Sequence, residues 1–468
     1  MTRVHLIGMC GTAMATLAAM LKKRGFDVRG SDQDVYPPMS DFLAGLGIAI
    51  RQGYRPEHIT GDLDFVIVGN AISRGNPELE EVLDRKIRYC SLPEAIRDHF
   101  LWGARSVVIA GTHGKTTATS LAGWVLTDGG LDASVLIGGI AENFDSSFRL
   151  GGGREFVIEG DEYDSAFFDK TAKFLKYLPD IAVVNNIEFD HADIYASLDE
   201  IRLAFRRLVN LLPRRGLLLL GADDAEARGL AAAARCRVET FGLSDGADWQ
   251  AHDVRPLQDR MTFSVRHKGT SYAAFEVPLL GTHNVRNTLA AIAVGAACGV
   301  AGPTMAESLP KFKGIRRRLQ LRADVDGVLV YDDFAHHPTA ISETLAGLRS
   351  AFPQRRIWAI FEPRSATSCR RLFQHDFARA FQAADEVVIA AVFRANLPEE
   401  ERLSADQLVA DLRAAGTRAR HIPAVDDIVR TVAKERRKGD LVVIMSNGAF
   451  GGIHQKLVDT LTAQQLGR

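Results

Sequence analysis

Short apolar runs that each end in a glycine-bearing or acidic turn recur along this chain and fall into three segments. The first segment carries Val4-His5-Leu6-Ile7-Gly8, Asp27-Val28-Arg29-Gly30-Ser31-Asp32 and Asp64-Phe65-Val66-Ile67-Val68-Gly69-Asn70, and closes near Ser91-Leu92-Pro93-Glu94. The second begins at about Arg105. It holds Val107-Val108-Ile109-Ala110, Glu155-Phe156-Val157-Ile158-Glu159 and Ile181-Ala182-Val183-Val184, then a hairpin-like β-rich stretch between about Val238 and Pro278. An alanine-rich helix from Asn284 to about Cys298 follows, amphipathic or buried all round. The third segment opens after Lys313-Gly314, with strands predicted at Gly327 to Asp333, Arg356 to Phe361, Glu386 to Ala390 and Asp440 to Met445. Strands alternating with helical stretches predict parallel, doubly wound sheets. Ligand sites in such folds lie in crevices at the strand C-terminal ends and between domains.

One turn carries the most specific chemistry. The run Val107 to Ala110 leads into Gly111-Thr112-His113-Gly114-Lys115-Thr116-Thr117, and a helix follows through Leu126. Backbone N–H groups of such a loop and the positive end of the helix face one point, where a polyphosphate can sit. Lys115 can reach the terminal phosphates and the Thr116 hydroxyl can hold Mg²⁺. The longer form of the motif has another glycine five positions before Gly114, where this chain has Ile109, so the fit is to the shorter Gly-x-x-Gly-Lys-Thr-Thr form. The expected fold is therefore α/β with three domains: Rossmann-like over 1–102, P-loop ATPase-type over 103–314, and Rossmann-like again over 315–468.

Other turns offer candidate groups, each with a plainer alternative. Gly8-Met9-Cys10-Gly11 stands where a dinucleotide fingerprint would, but Cys10 replaces its second glycine, which weakens a nicotinamide reading. A glycine turn before a helix still offers amides to a diphosphate, and Asp32 at the next strand end could meet a sugar or base. Glu159 at a strand end beside the phosphate loop is placed to hold Mg²⁺, which prefers hard oxygen ligands; a solvated acidic turn is the alternative. His191, in Asp190-His191-Ala192-Asp193, is a possible second ligand or a surface histidine. Asn284 and Asn287 could read a purine edge and His283 could stack on a base, although a helix cap explains Asn284 equally well. An arginine of Arg316-Arg317-Arg318 could swing onto a γ-phosphate when domains close. Asp332-Asp333-Phe334-Ala335-His336-His337-Pro338 is a functional loop or an ordinary turn.

Composition narrows the classes. The 468 residues are 46% hydrophobic and 25% charged with a formal net charge of −1, so no global basic field recruits nucleic acid or anionic membrane. The basic run Arg214-Arg215 reads as a solvated face. The five cysteines (Cys10, Cys90, Cys236, Cys298, Cys369) never pair as Cys-x-x-Cys, which argues for a reducing cytoplasm and against a disulfide framework or zinc site. No apolar run approaches a membrane span. Val4 to Leu21 faintly mimics a signal peptide, but Gly8 and Gly11 break it into strand, turn and helix.

Taken together and in order, these motifs resemble the Mur ligase family, the ATP-dependent ligases of peptidoglycan stem peptides. The resemblance also rests on Asn70-Ala71-Ile72-Ser73, Phe361-Glu362-Pro363-Arg364-Ser365 and Met445-Ser446-Asn447-Gly448, and spans essentially the whole chain. It is nearest to the branch that binds UDP-N-acetylmuramate, and several later motifs are similar to members that attach a recycled tripeptide. Ala366-Thr367 departs from the Asn-Thr common in those members.

The resemblance implies roles position by position. The loop residues Gly111 to Thr117 would bind ATP, with Thr116, Glu159 and His191 holding Mg²⁺. His283 and Asn287 would hold the adenine side, Arg318 the γ-phosphate, and Asp333 with His336 the nucleotide or reacting centre. Gly8, Gly11, Asp32 and Ser73 would lie along the UDP-sugar, and Arg364 would clamp a carboxylate of the peptide. The implied reaction turns the muramate lactyl carboxylate into an acyl phosphate, which the peptide amine attacks. The expected partners are these two substrates, without nucleic acid or membrane, for a cytoplasmic monomer or weak homo-oligomer. Addition of L-alanine in place of the tripeptide stays open, as does a nucleotide-dependent binding module of another class.

Overall fold

The structure, a computed structural model, describes residues 1–393 and 397–466. The first sheet is five-stranded and wholly parallel, in the order Ala49–Gln52, Asp27–Asp32, Arg3–Ile7, Phe65–Val68, Tyr89–Ser91. The strand order reverses between Arg3–Ile7 and Phe65–Val68, so the turns after these strands diverge and leave a crevice. The apolar N-terminal stretch folds as strand Arg3–Ile7, a turn at Gly8 with φ +81°, and helix Thr12–Lys23.

The central sheet has ten strands. In its middle, Arg105–Ala110 pairs in parallel with Glu155–Gly160 on one side and Ile181–Val184 on the other, and Ala110 is level with both Gly160 and Val184. That register makes the phosphate loop, the acidic turn after Gly160 and the asparagine turn after Val184 leave the sheet at one edge. Val107 and Ile109 point into one apolar cluster and Val108 and Ala110 into another, all fully buried, as expected of a strand covered on both faces. The β-rich stretch forms Arg237–Gly242 and then the antiparallel strands Trp249–Leu257, Arg260–His267 and Thr270–Val277. The alanine-rich helix spans Thr282–Ala297.

The third sheet has six strands. Val328–Asp333, Leu441–Met445 and Ile357–Phe361 are parallel neighbours, with Asp333 and Phe361 both level with Met445. The sequence reading did not separate the antiparallel edge strand Gln320–Val325, which is half polar and follows the arginine triplet. Among the described residues no helix is long and apolar enough to cross a membrane, and the five cysteines form no disulfide.

One apolar cluster joins the first sheet's helix layer (Leu17, Met20, Ile96) to a face of the central sheet (Val108, Phe156, Val184). The third sheet has clusters of its own, and its seam with the central domain is largely polar. Thr339 Oγ1 donates to Glu188 Oε2 at 2.7 Å, Arg286 pairs with Glu343 at 2.9 Å, and the Ala192 N–H reaches Thr367 Oγ1 at 3.4 Å. Polar seams between domains permit relative motion.

The seam should weaken in acid. Burial, with His113 beside it, holds the His337 ring well below its ordinary 6.5. Burial works to raise Glu188, but the hydrogen bond and charge of His113, with Thr339, hold it below its ordinary 4.5. In each case the unfolded chain takes up the proton first, so stability falls as pH falls: from about 6.5 downward for His337 and from about 4.5 downward for Glu188. Urea unfolding between pH 7 and 3 should show this slope, and His337→Gln should flatten its upper part. An unchanged slope in that variant would place the titration elsewhere.

Candidate active site

The phosphate loop owes its shape to two glycines. Gly111 has φ +134°, and a Cβ there would meet Asn185 at 3.0 Å. Gly114 has φ +80°, and a Cβ there would stand 2.2 Å from Asn287 Oδ1. Thr112 Oγ1 accepts from the Glu188 N–H at 2.8 Å, and the His113 N–H donates to Asn186 Oδ1 at 2.7 Å, which moors the loop to the turn after Val184. Helix Lys115–Leu126 begins at Gly114 with no side-chain cap, so its first amides stay open to an anion. Gly114→Ala is expected to cost roughly 1–2 kcal/mol in backbone strain and to displace buried Asn287, raising the KM for ATP more than tenfold. An unaltered KM for ATP would show that the loop tolerates the methyl group.

Lys115 Nζ donates to Gly111 O at 2.6 Å, to Thr112 O at 3.1 Å and to Glu162 Oε1 at 2.9 Å. Thr116 Oγ1 donates to Glu159 Oε1 at 3.0 Å, and the Gly138 N–H donates to Glu159 Oε2 at 2.7 Å. A Cβ on Gly138 would lie 2.8 Å from that carboxylate, so the glycine is what admits it. Burial raises the Glu159 carboxyl above its ordinary 4.5 despite Gly138, Lys115 and Arg318. A half-buried carboxylate and a buried hydroxyl that still favour more positive charge are a hard-oxygen donor set, and they fit Mg²⁺.

The sequence alone assigns no role to Glu162. It is 2% exposed, and its Oε1 lies 2.9 Å from both Lys115 Nζ and His191 Nε2, while its Oε2 is buried without a partner. His191 is therefore tied to Glu162; burial lowers it, but that hydrogen bond and charge hold it above its ordinary 6.5. For Lys173 the sequence leaves only the question of carbamylation open and assigns no place at the site. This lysine pairs with Asp161 at 2.5 Å and borders the passage described below. The visible signal for Glu162 was a third acid after a buried strand; nothing local marked Lys173.

The three arginines of the triplet part company. Arg316 pairs with Glu142 and Asp145 at the surface, at 3.0 and 2.6 Å. Arg317 donates to Ser446 O and Gly448 O in the third domain, at 2.6 and 2.7 Å. Arg318 donates to Thr116 Oγ1 at 3.0 Å and lies 4.8 Å over the Phe334 ring. Positive φ at Arg317 (+61°) and Leu319 (+49°) allows this fanning. Asp333 accepts from the Leu319 N–H at 2.6 Å and the Ala335 N–H at 2.8 Å, which fastens the turn that carries Arg318.

A cavity of about 250 Å³ lies between the central and third domains. His113, Gly114, Thr117, Asn287, Arg318 and Asp333 border it near the phosphate loop, and His283, Phe241 and Leu279 complete the wall. Burial lowers His283 below its ordinary 6.5, and its Nδ1 has no partner. Asn287 Nδ2 donates to Asn284 Oδ1 at 3.2 Å. His336 does not line this cavity; its Nδ1 pairs with Phe334 O at 2.9 Å. The charged groups that act on His336 are Asp190, Arg318 and His191, so it stands on the side of the reacting centre.

A second cavity, of about 590 Å³, occupies the crevice of the first sheet. Gly8, Gly11 and Asp32 line it, with Asn70, Tyr54 and, from the central domain, Lys173. The Cys10 N–H is spent on Asp32 Oδ2 at 2.7 Å, so the residue that broke the dinucleotide fingerprint also lacks a free amide. Ser73 is exposed and outside the lining; Ala71 and Ile72 border it in its place. A smaller cavity of about 190 Å³ shares Thr12, Ala13, Leu92 and Lys173 with this crevice and continues to Gly138 and Glu159. Arg364 lies in the third domain, 3.6 Å from Glu362 and 3.7 Å from the Phe393 ring centre, against Gly448, where a Cβ would touch its Nε.

Fold and site together define a three-domain α/β enzyme that uses a nucleoside triphosphate. Three family models cover the chain: the Mur ligase family catalytic domain over residues 3–101, the Mur ligase middle domain over 109–295, and the Mur ligase glutamate ligase domain over 317–448. The chain is 41% identical over 460 residues to the Escherichia coli UDP-N-acetylmuramate–L-alanyl-γ-D-glutamyl-meso-2,6-diaminoheptandioate ligase, covering 98% of each chain. It is 35% identical over 446 residues to the UDP-N-acetylmuramate–L-alanine ligase of Desulfatibacillum aliphaticivorans, covering 95% of each. Among solved structures, a murein peptide ligase from Psychrobacter arcticus matches with TM-score 0.72, 36% identity and 99% coverage of both chains. The chain belongs to the Mur ligase family, whose members are ATP-dependent ligases that form C–N bonds.

Proposed function

We propose that this chain joins preformed L-alanyl-γ-D-glutamyl-meso-diaminopimelate to the lactyl carboxylate of UDP-N-acetylmuramate, with ATP converted to ADP and phosphate. The observation that carries the reading is the passage past Thr12, Ala13 and Lys173, which leads from the first-domain crevice to Glu159 beside the phosphate loop. A UDP-sugar seated in the crevice along Gly8, Gly11 and Asp32 can send its carboxylate through that passage.

The carboxylate oxygen attacks the γ-phosphorus and ADP leaves, giving an acyl phosphate. The peptide amine then attacks the carbonyl carbon, phosphate departs with the C–O electron pair, and the amine gives up a proton. Lys115 and Arg318 stabilise charge on the transferring phosphoryl group. Thr116 and Glu159 would hold Mg²⁺, with His191 on the far side of Glu162; the ion supplies positive charge to the terminal phosphates. Enclosure between the domains excludes water from the acyl phosphate. Asp333 acts through the turn that carries Arg318, and Arg364 is placed to meet a peptide carboxylate.

The test is phosphate release with ATP, Mg²⁺ and UDP-N-acetylmuramate, comparing the tripeptide with L-alanine as acceptor. Turnover with the tripeptide and little with alanine is the expected result. Efficient turnover with alanine would assign the chain to the first biosynthetic step, as the 35% identity to an alanine ligase would allow. No acceptor-dependent release would favour a binding module.

A further inference from the structure

The basic pair Arg214-Arg215 has no part in the ligase chemistry, and its setting differs from an ordinary solvated face. Five neighbouring parallel strands of the central sheet begin at one edge, opposite the edge that carries the phosphate loop: Arg237–Gly242, Leu217–Gly221, Ile181–Val184, Arg105–Ala110 and Glu155–Gly160. Along that edge stand, in order, Arg237, then Arg214 and Arg215, then Asp180, then Arg105, then Arg154, and all line one cavity of about 580 Å³. Four inter-strand steps of about 4.8 Å make the row roughly 19 Å long.

Five guanidinium groups thus face one carboxylate, and that carboxylate is already engaged, because Asp180 Oδ2 accepts from the Ser106 N–H at 3.1 Å. Arg105 donates to Ala297 O at 3.0 Å, and Arg237 has only a 3.7 Å approach to Glu239. Among the described residues, Arg154, Arg214 and Arg215 make no side-chain hydrogen bond or ion pair, and all three are exposed. Self-repelling cations held in a row by a rigid sheet edge are an arrangement that a multivalent anion relieves. Guanidinium forks match phosphate oxygens in pairs.

The lining also selects the class of anion. It contains no aromatic side chain on which a base could stack, which disfavours single-stranded nucleic acid. It is concave, which disfavours a flat lipid surface. Its length exceeds what one phosphate can span. We infer that this edge is a binding site for a linear, phosphate-rich small anion of the inorganic polyphosphate type, separate from the ATP site.

The probe is a short-chain inorganic polyphosphate titrated calorimetrically into the full-length protein in Mg²⁺-free buffer with saturating ADP, which keeps the phosphate loop filled. Saturable binding is expected, weakened by added salt, with orthophosphate far weaker. Arg214→Ala/Arg215→Ala should lower the affinity by about tenfold or more, as should Arg237→Glu at the far end of the row, while both variants keep ligase turnover and melting temperature. The site is overturned if binding vanishes once ADP is present, if both variants bind as the parent does, or if orthophosphate binds equally well. Tighter binding of a single-stranded oligonucleotide through the same arginines would overturn the assignment to a small anion.

Discussion

Replacing Lys115 by alanine is expected to reduce kcat for ligation by about 10²–10³-fold or more, the loss typical of a single charge-stabilising donor in a closed site. The ammonium of Lys115 is held by two loop carbonyls and Glu162, so its position is set before any phosphate arrives. All three of its N–H donors are engaged in this structure, so a transferring phosphoryl group draws the ammonium off at least one of these partners. The first-domain crevice does not include Lys115, so the affinity for UDP-N-acetylmuramate should stay within about twofold, since sites without shared partners behave independently. Phosphate release and calorimetric titration of the UDP-sugar measure the two quantities separately. A fall in sugar affinity comparable with the fall in kcat would contradict this division of labour.

Arg318→Ala is expected to cost about 10³-fold in kcat, in the range found for arginines that stabilise phosphoryl transfer. Arg318 stems from the turn into the third domain yet donates to Thr116 at the start of the phosphate-loop helix. Burial pulls its guanidinium below its ordinary range, with Asp333 and Glu159 opposing. A triphosphate beside it would relieve that cost. Arg318→Lys should recover little, because an ammonium cannot both lie over the Phe334 ring and fork onto oxygen. Single-turnover kinetics with bound ATP would separate chemistry from binding. Loss confined to the KM for ATP would make Arg318 a binding group and remove it from the transferring phosphate.

Much of the site was legible because its pieces are local words. Gly111 to Thr117 has to be a loop between a buried strand and a helix, since only glycine readily takes φ +134° and +80° at its two ends. Glu159 ends a buried strand next to that loop, and His283 to Asn287 open a helix. Less legible were residues whose roles come from contacts distant in sequence. Glu162 joins Lys115 to His191 across 47 and 29 positions. Lys173 reaches the passage only because a short strand pair folds back over the acidic turn. Ser73 and His336 line neither of the two cavities, although they stand beside residues that do.

The sequence by itself determined the α/β class, ten strands spread over the three segments, the phosphate loop and the family resemblance. These follow from apolar periodicity and from glycine, lysine and threonine at fixed short spacings, which act within one or two turns of chain. Only the tertiary structure decided which arginine of the triplet meets Thr116, that Glu162 is shared, and that Arg214-Arg215 stand in a row with Arg105, Arg154 and Arg237. Each of these depends on strand order and register. Residues far apart in the chain become neighbours only when parallel strands align their ends, and no local pattern encodes that alignment.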